Sequence, residues 1–251
     1  MKIKYLGQCG FLITSQNTRA VTDPYLSYGV DENHYSEKTP WKRLYPPPCT
    51  LSELSPDIIV ISHAHDDHLD PITVRKYLES GGDAFFIAPA PICDILAELG
   101  VKKERLIRAY AENEIIFNDL AVLPIPCAHT ELHTDKNGDY LELSYFIKSG
   151  GKTVFFGGDM SLYDGICERI SREDPDLLLL PCNGRDEERT ANGIIGNITE
   201  VEAAELAARL KAPFVPMHHD LYEINGCPEE NIAAAARAFG ATLITKKEFT
   251  I

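Results

Sequence analysis

Residues 57–71 read DIIVISHAHDDHLDP and join a short apolar run to a cluster of metal-type side chains. The run Ile58–Ile61 is mostly β-branched and shows no polar alternation, which predicts a strand buried on both faces. Asp70 suits a helix N-cap, and Pro71 suits the first helical position, where a missing N–H costs nothing. The histidines are therefore expected on a turn at the carboxyl end of a buried strand, where open α/β sheets usually carry their chemistry.

This turn contains His63, His65, Asp67 and His68. Imidazole nitrogen and carboxylate oxygen are both ligands of zinc and related metals. Two histidines one residue apart in an extended turn can bind the same ion, and the Asp–His pair that follows turns toward a second ion. The alternative is a polar loop with solvated histidines. Three histidines and two aspartates within six residues favour the metal site, since the whole chain has only eight histidines.

Composition limits the class of protein. The chain has 251 residues, of which 44% are hydrophobic, and we expect one domain spanning residues 1–251. A net charge of −14 disfavours nucleic-acid partners, because an acidic surface repels phosphate backbones. Seven cysteines without a Cys-x-x-Cys pair argue against a disulfide framework. Neither a membrane-spanning apolar run nor a signal-peptide pattern is visible, so we expect no membrane partner and a cytoplasmic location.

Helix and strand signals alternate along the rest of the chain. The pair Thr199 and Glu202 forms a capping-box pattern at the start of an amphipathic helix over 199–210. The last predicted element is a short strand at 241–245. Residues 25–50 are aromatic and proline-rich without a clear period. Such a segment is typical of a lid or binding loop, and it is equally consistent with a surface excursion or a subunit contact.

The other metal-type residues also follow predicted strands. They are His129 after 120–125, Asp159 after 153–156, and His218 and His219 after 214–216. Together with the turn they complete a set for two ions. One ion would be bound by His63, His65 and His129, the second by Asp67, His68 and His218, and Asp159 would bridge the two. His133 competes with His129, which we prefer because it is nearer the strand end. Asp23 follows a strand too, and there we favour a turn cap over a role in orienting the site.

This arrangement predicts hydrolytic chemistry. Two ions so bound typically lie about 3.5–4 Å apart. A water between them would have a pKa of about 7, as for zinc-bound water. It would therefore supply a metal-bridging hydroxide at neutral pH. Asp67 would orient this water and pass on its proton. His219, with Asp220, would contact the substrate or orient His218. The sequence therefore predicts a metal-dependent hydrolase acting on a small carbonyl ester.

The ordered motifs SHAHDDH, CAH, GGD and MHHD resemble those of the metallo-β-lactamase superfamily. The resemblance implies an α/β fold of the αβ/βα four-layer sandwich type, with two facing mixed β-sheets, outer helices and the metals at one edge. The stretches HAHDDHLD, FIAPAPICDILAELGVKKERL, GGDMSLYDG and APFVPMHHDLY look like the L-ascorbate-6-phosphate lactonase branch of that superfamily. That branch implies hydrolysis of a phosphorylated sugar lactone such as L-ascorbate 6-phosphate, two divalent ions (zinc or manganese), and a homo-oligomer.

A small anionic substrate of this kind would need cationic or N–H partners. The candidate substrate contacts are Asn183, Arg185, Asn197 and Asp220, and further candidates are Arg189, Lys42, Arg43 and Asn192. Each of the basic residues is also consistent with an ordinary solvated surface charge. The main alternative function is a phosphodiesterase acting on a small cyclic nucleotide or another phosphodiester. A di-iron redox protein is disfavoured, because such relatives carry a glutamate where His65 stands.

Overall fold

The structure is a computed structural model that describes all 251 residues. Thirteen strands run in chain order as β1 (Lys2–Gly7), β2 (Gly10–Thr14), β3 (Arg19–Thr22), β4 (Ile58–Val60), β5 (Phe85–Pro89), β6 (Leu106–Ala109), β7 (Ile115–Phe117), β8 (Leu120–Pro126), β9 (Leu143–Ser149), β10 (Lys152–Phe156), β11 (Leu177–Pro181), β12 (Phe214–Met217) and β13 (Glu248–Thr250). The α-helices are α1 (Gly29–His34), α2 (Leu51–Leu54), α3 (Pro71–Glu79), α4 (Cys93–Glu98), α5 (Ile166–Ser171), α6 (Glu187–Ala191), α7 (Glu200–Leu210) and α8 (Glu229–Phe239).

These strands form two mixed sheets. The first has seven strands in the order β13-β1-β2-β3-β4-β5-β6, and the second has six in the order β12-β11-β10-β9-β8-β7. The strands from β3 to β6 run parallel to one another, as do β10, β11 and β12. Parallel strands end at the same edge of a sheet, so the loops after them are brought together.

The sheets pack face to face and carry helices on their outer faces. Ile58 and Val60 of β4 belong to the apolar core between the sheets, whereas Ile59 and Ile61 belong to the core under the outer helices. The predicted burial of this strand on both faces is thus confirmed, and so is the predicted four-layer sandwich. That the chain forms one domain stays a prediction. None of the helices combines the length and the apolar composition that crossing a bilayer requires.

Local sequence signals explain several element boundaries. The Asp70 side chain accepts hydrogen bonds from the N–H groups of Ile72 and Thr73, at 3.0 and 3.2 Å, and caps α3 as predicted. The predicted capping box at the start of α7 is also present. The predicted strand at 241–245 is wrong, because only a single bridge forms there, and β13 pairs with β1 instead. Residues 25–50 contain the short helix α1 within otherwise irregular chain.

Gly158 allows the turn after β10 to approach the turn after β4. Its φ is +61°, and a Cβ at this position would lie 2.9 Å from the Cβ of Ser62. A side chain would therefore meet both a left-handed backbone and a neighbour that is too close. Since Gly158 directly precedes Asp159, this close approach brings that carboxylate toward the histidine turn.

Gly158→Ala is expected to lower the free energy of unfolding by about 3 kcal/mol, because the alanine adds both backbone strain and overpacking against Ser62. Gly165→Ala provides the matched control, because Gly165 also has a positive φ of 86° but no atom lies within 4 Å of its Cβ position. Backbone strain alone should cost the control about 1 kcal/mol. Urea denaturation measures both variants, and equal losses would contradict the importance of the close approach.

Candidate metal centre

The candidate centre lies where loops from both sheets meet. The turn after β4 supplies four side chains and the second sheet supplies three, one after each of β8, β10 and β12; these residues are His63, His65, Asp67, His68, His129, Asp159 and His218. The structure brings all seven together from widely separated parts of the chain.

The first ligand cluster consists of His63, His65, His129 and Asp159. Each offers one ligand atom, and these atoms lie within 4.8 Å of one another. His63 Nε2 is 2.9 Å from His65 Nδ1, and His129 Nε2 is 3.3 Å from Asp159 Oδ2. Three imidazoles and one carboxylate around a common point can bind one divalent cation.

The second ligand cluster consists of Asp67, His68 and His218. Asp67 Oδ2 is 3.1 Å from His218 Nε2 and 3.6 Å from His68 Nε2. Asp159 adjoins this cluster as well, with Oδ1 3.2 Å from His68 Nε2 and Oδ2 3.4 Å from His218 Nε2. Its carboxylate therefore contacts both clusters, as the bridging position requires.

The electrostatics keep the carboxylates charged. Burial would raise the pKa of Asp159, but the nearby imidazoles of His218 and His68 hold that pKa well below its ordinary value. The pKa of Asp67 is lowered in the same way, against the effect of burial, chiefly by His68. Burial lowers the pKa of His63 well below its ordinary value. Burial would also lower the pKa of His68 and His129, but the Asp159 carboxylate raises both above their ordinary value. Anionic carboxylates and neutral imidazoles are the forms that bind a metal ion, so a cation would take the place of a proton on these two rings.

A divalent cation fits this donor set. The Nε2 atom of His68 is buried and makes no hydrogen bond, although it faces the Asp67 and Asp159 carboxylates. A buried polar atom without a partner costs free energy, and a cation between these groups would remove that cost. The five imidazoles and two carboxylates are hard-to-borderline ligands, which suit zinc or manganese.

Asp23 supports the cluster from behind. It is fully buried, its Oδ2 lies 2.7 Å from His68 Nδ1, and its Oδ1 accepts a hydrogen bond from the Ser62 N–H at 2.7 Å. The Ser62 hydroxyl in turn lies 2.9 Å from His63 Nδ1. The sequence favours a turn cap for Asp23, but in the structure this residue orients the ligand histidines. Carboxylate contacts of this kind fix the ring orientation of ligand histidines.

Gln8 is a site residue that the sequence reading missed. It lies buried in the irregular turn between β1 and β2, with a left-handed φ of 54° that is unusual for a residue other than glycine. Its Nε2 atom is 2.7 Å from Asp67 Oδ2 and 2.8 Å from His218 Nε2. Strained backbone of this kind is often found at functional sites, and the two contacts link the Gln8 amide to the second ligand cluster.

Gln8→Leu is expected to reduce turnover by about 10–100-fold, because Asp67 and His218 lose the side chain that orients them. The metal content of the variant, measured by elemental analysis, should fall together with its turnover. Gln16→Leu is the matched control, since Gln16 is exposed and remote from these ligands. Wild-type turnover and full metal content in the Gln8 variant would show that Gln8 does not orient Asp67 and His218.

The structure does not bring His219 and Asp220 to the ligands. Both line a separate cavity, in which Asp220 Oδ1 accepts hydrogen bonds from the hydroxyls of Tyr5 and Tyr45 at 2.9 and 2.8 Å. Of the histidine pair after β12, His218 is the one that faces the cluster. Likewise His129 lies in the cluster, whereas His133 contacts the Glu142 carboxylate outside it.

The other predicted substrate contacts are also engaged elsewhere. Arg185 forms a bidentate ion pair with Glu202, with both N–O distances at 2.7 Å. Asn197 donates a hydrogen bond to Asn183 Oδ1 at 3.0 Å, and Asn183 Nδ2 donates to Asn225 Oδ1 at 2.9 Å. Asn183 and Asn197 are therefore buried members of an amide chain, and Asn225 is the member that reaches the cavity.

A cavity of about 370 Å³ opens over the ligand atoms. Its lining comprises Val30, His34, Trp41, Ala64, His65, Asp66, Asp67, His129, Asp159, Gly193, Ile194, Ile195, His218 and Asn225. The volume is within the range of small-molecule sites. A small substrate in this cavity would lie directly against both ligand clusters.

Known proteins resemble this chain in sequence and in fold. A metal-dependent hydrolase of Carboxydothermus hydrogenoformans is 26% identical over 97% of this chain and 95% of its own length. One of Methanosarcina mazei is 27% identical, covering 92% of this chain and 88% of its own. Among solved structures, an isothiocyanate hydrolase from Delia radicum gut bacteria superposes with a TM-score of 0.79 at 15% identity, covering 100% of this chain and 99% of that one. The last likeness shows the fold alone.

The family model described as the beta-lactamase superfamily domain matches residues 18–219, which include all seven ligand residues. Its span covers most of the chain and contains the strand ends that supply the two clusters. The chain therefore belongs to the beta-lactamase superfamily domain family, and its homologues over nearly the full length are named metal-dependent hydrolases.

Proposed function

We propose that this metal-dependent hydrolase opens small carbonyl esters, with lactones as the preferred substrates. The proposal rests on one observation, that two ligand clusters joined by Asp159 open into a single cavity of small-molecule size. The resemblance to the L-ascorbate-6-phosphate lactonase branch supports a lactone, and the ligand chemistry supports zinc or manganese.

The residues in the clusters have defined parts in this chemistry. One cation would be held by His63, His65 and His129, a second by Asp67, His68 and His218, and Asp159 would hold both. Divalent cations supply Lewis acidity, which makes a water molecule more acidic and polarises a carbonyl group.

Asp67 and Asn225 would act on the reactants themselves. The contacts of Asp67 with Gln8, His218 and His68 all involve its Oδ2 atom, so Oδ1 is the oxygen assigned to accept a proton from the attacking water. Asn225 uses its Oδ1 to accept a hydrogen bond from Asn183, which leaves its amide NH2 to donate to a substrate oxygen. One side chain thus handles the proton and the other positions the ester.

A hydrolysis screen tests the proposal. The protein is reconstituted separately with zinc and with manganese and is assayed on a panel of lactones, sugar-phosphate lactones and linear esters beside a chromogenic phosphodiester. Lactone opening that requires added metal is the expected result. Hydrolysis of the phosphodiester alone would overturn the proposal in favour of phosphodiesterase activity. Size-exclusion chromatography with light scattering, run on the same samples, checks the predicted homo-oligomer.

A further inference from the structure

The cavity over the ligands is lined by two chemical kinds of side chain. Besides the ligand residues, the lining includes the apolar side chains of Val30, Trp41, Ile194 and Ile195, which we call the apolar wall. Ile195 is 47% exposed although it is a large aliphatic residue. Aliphatic and aromatic side chains that line the mouth of a polar reaction site are suited to holding an apolar part of a ligand.

No lysine or arginine is among the cavity-lining residues. Three arginines near the cavity donate to other partners, whereas Lys42, which follows Trp41 in the chain, is exposed. Arg185 pairs with Glu202, Arg189 donates to the carbonyls of Asn183 and Gly226, and Arg43 donates to the Ser27 carbonyl at 2.7 Å.

Outside the ligand clusters, the lining residue with a carboxylate is Asp66. Asp66 lines the cavity and lies 2.8 Å from the Nε2 atom of His34. A phosphate group on the substrate, placed away from the ligand clusters, would face this carboxylate and no lysine or arginine of the cavity lining. Like charges at close range disfavour binding, and the overall charge of −14 adds to the effect.

An aromatic contact and hydrogen bonds hold parts of the apolar wall in place. Trp41 packs edge-on against Tyr222, with ring centroids 5.1 Å apart. The Tyr222 hydroxyl lies 2.6 Å from the Tyr25 hydroxyl and donates to Asp31 Oδ1 at 3.0 Å. In the segment that carries Ile194 and Ile195, the Ile194 N–H donates to the Arg189 carbonyl at 2.9 Å. A wall that is formed before the ligand arrives binds it with less loss of conformational entropy.

We propose that the substrate is an uncharged lactone or ester with a hydrocarbon substituent, which packs against Val30, Trp41, Ile194 and Ile195. The inference rests on the proposed function and narrows it to a substrate class. An uncharged substrate differs from the anionic substrate that the sequence predicts. The anionic substrate stays a prediction, and the same experiment tests it.

The first measurement compares kcat/KM over γ-lactones that carry no side chain, a butyl chain or a hexyl chain, and over a lactone with a phosphorylated side chain. Each added CH2 is expected to raise kcat/KM by about fourfold until the wall is covered. The phosphorylated lactone should be slower than the hexyl lactone by at least about 100-fold. A faster phosphorylated lactone would overturn this inference and leave the lactonase proposal intact.

A binding measurement separates the two proposals. Trp41 is the only tryptophan of the chain, so the intrinsic fluorescence reports the cavity wall directly. γ-Lactams with the same substituents are much less reactive toward hydrolysis than the lactones, because an amide carbonyl is less electrophilic than an ester carbonyl. Their binding should change this fluorescence, with an affinity that rises with chain length. Tight alkyl-lactam binding without any ester hydrolysis would refute the proposed function only. Equal affinity for all substituents would refute the apolar wall.

Ile195→Lys should reverse the selectivity. The variant is expected to lose most of the chain-length dependence and to bind the phosphorylated lactam at least about tenfold more tightly than wild type, because a cation now faces it. Ile116→Lys is the matched control, since Ile116 of β7 is 68% exposed and remote from the cavity. Unchanged selectivity in the Ile195 variant would exclude this residue from the substrate wall.

Discussion

Asp67→Asn is expected to reduce turnover by about 1000-fold while leaving the fold intact. Asparagine has the same shape as aspartate but cannot accept a proton from the attacking water. The contacts with Gln8 and His218 can still be satisfied by the amide, so the local structure should survive. The loss therefore measures the proton-accepting role rather than a structural one.

The assay uses protein loaded with the same amount of metal as wild type, determined by elemental analysis, and circular dichroism checks the fold. Asp164→Asn is the control, because Asp164 is exposed and belongs to neither ligand cluster. Turnover near wild type in the metal-loaded Asp67 variant would rule out the assigned role of this carboxylate.

Asp159→Asn is expected to abolish detectable turnover, a loss of at least about 1000-fold, and to reduce the bound metal. The carboxylate places its two oxygens against His68, His129 and His218. An amide keeps one of these oxygens and turns an NH2 donor toward imidazoles that need an acceptor or a cation. Both clusters thus lose a shared anionic ligand at once.

Metal content and turnover are measured on the same sample of this variant, with Asp164→Asn again as the control. The expected pattern is a joint fall of both quantities, which excess metal in the buffer restores only in part. Full metal content with normal turnover would show that Asp159 is not a shared metal ligand of the two clusters.

The ligand positions could be predicted because their signals are local. An apolar run followed by a polar turn marks a strand end, and His63, His129, Asp159 and His218 each follow such a run. The fold followed from the same runs and from the family resemblance that the motifs carry. Sheet order places the strand ends at one edge, so these local signals were enough to assemble the cluster.

The residues around the ligands could not be predicted in this way. Gln8 reaches Asp67 because an irregular turn gives it a left-handed backbone. The neighbouring Gly7 and Gly10 indicate a turn in the sequence, but they do not indicate that the Gln8 side chain meets Asp67. The sequence points to Asn183 and not to Asn225, since only the structure shows which amide of the hydrogen-bonded chain reaches the cavity. Arg185 carries a charge that suits an anion, but its partner Glu202 is recognisable only in three dimensions.

The two ligand clusters share a further property. His63 and His65 follow a strand of the first sheet while His129 follows one of the second, and in the other cluster His218 lies across from Asp67 and His68 in the same way. A cation in either cluster would therefore act as a removable cross-link between the amino-terminal and carboxy-terminal halves of the chain. The lifetime of the protein against proteases should then follow the cellular supply of the metal, so that scarcity of the ion removes the enzyme as well as its activity.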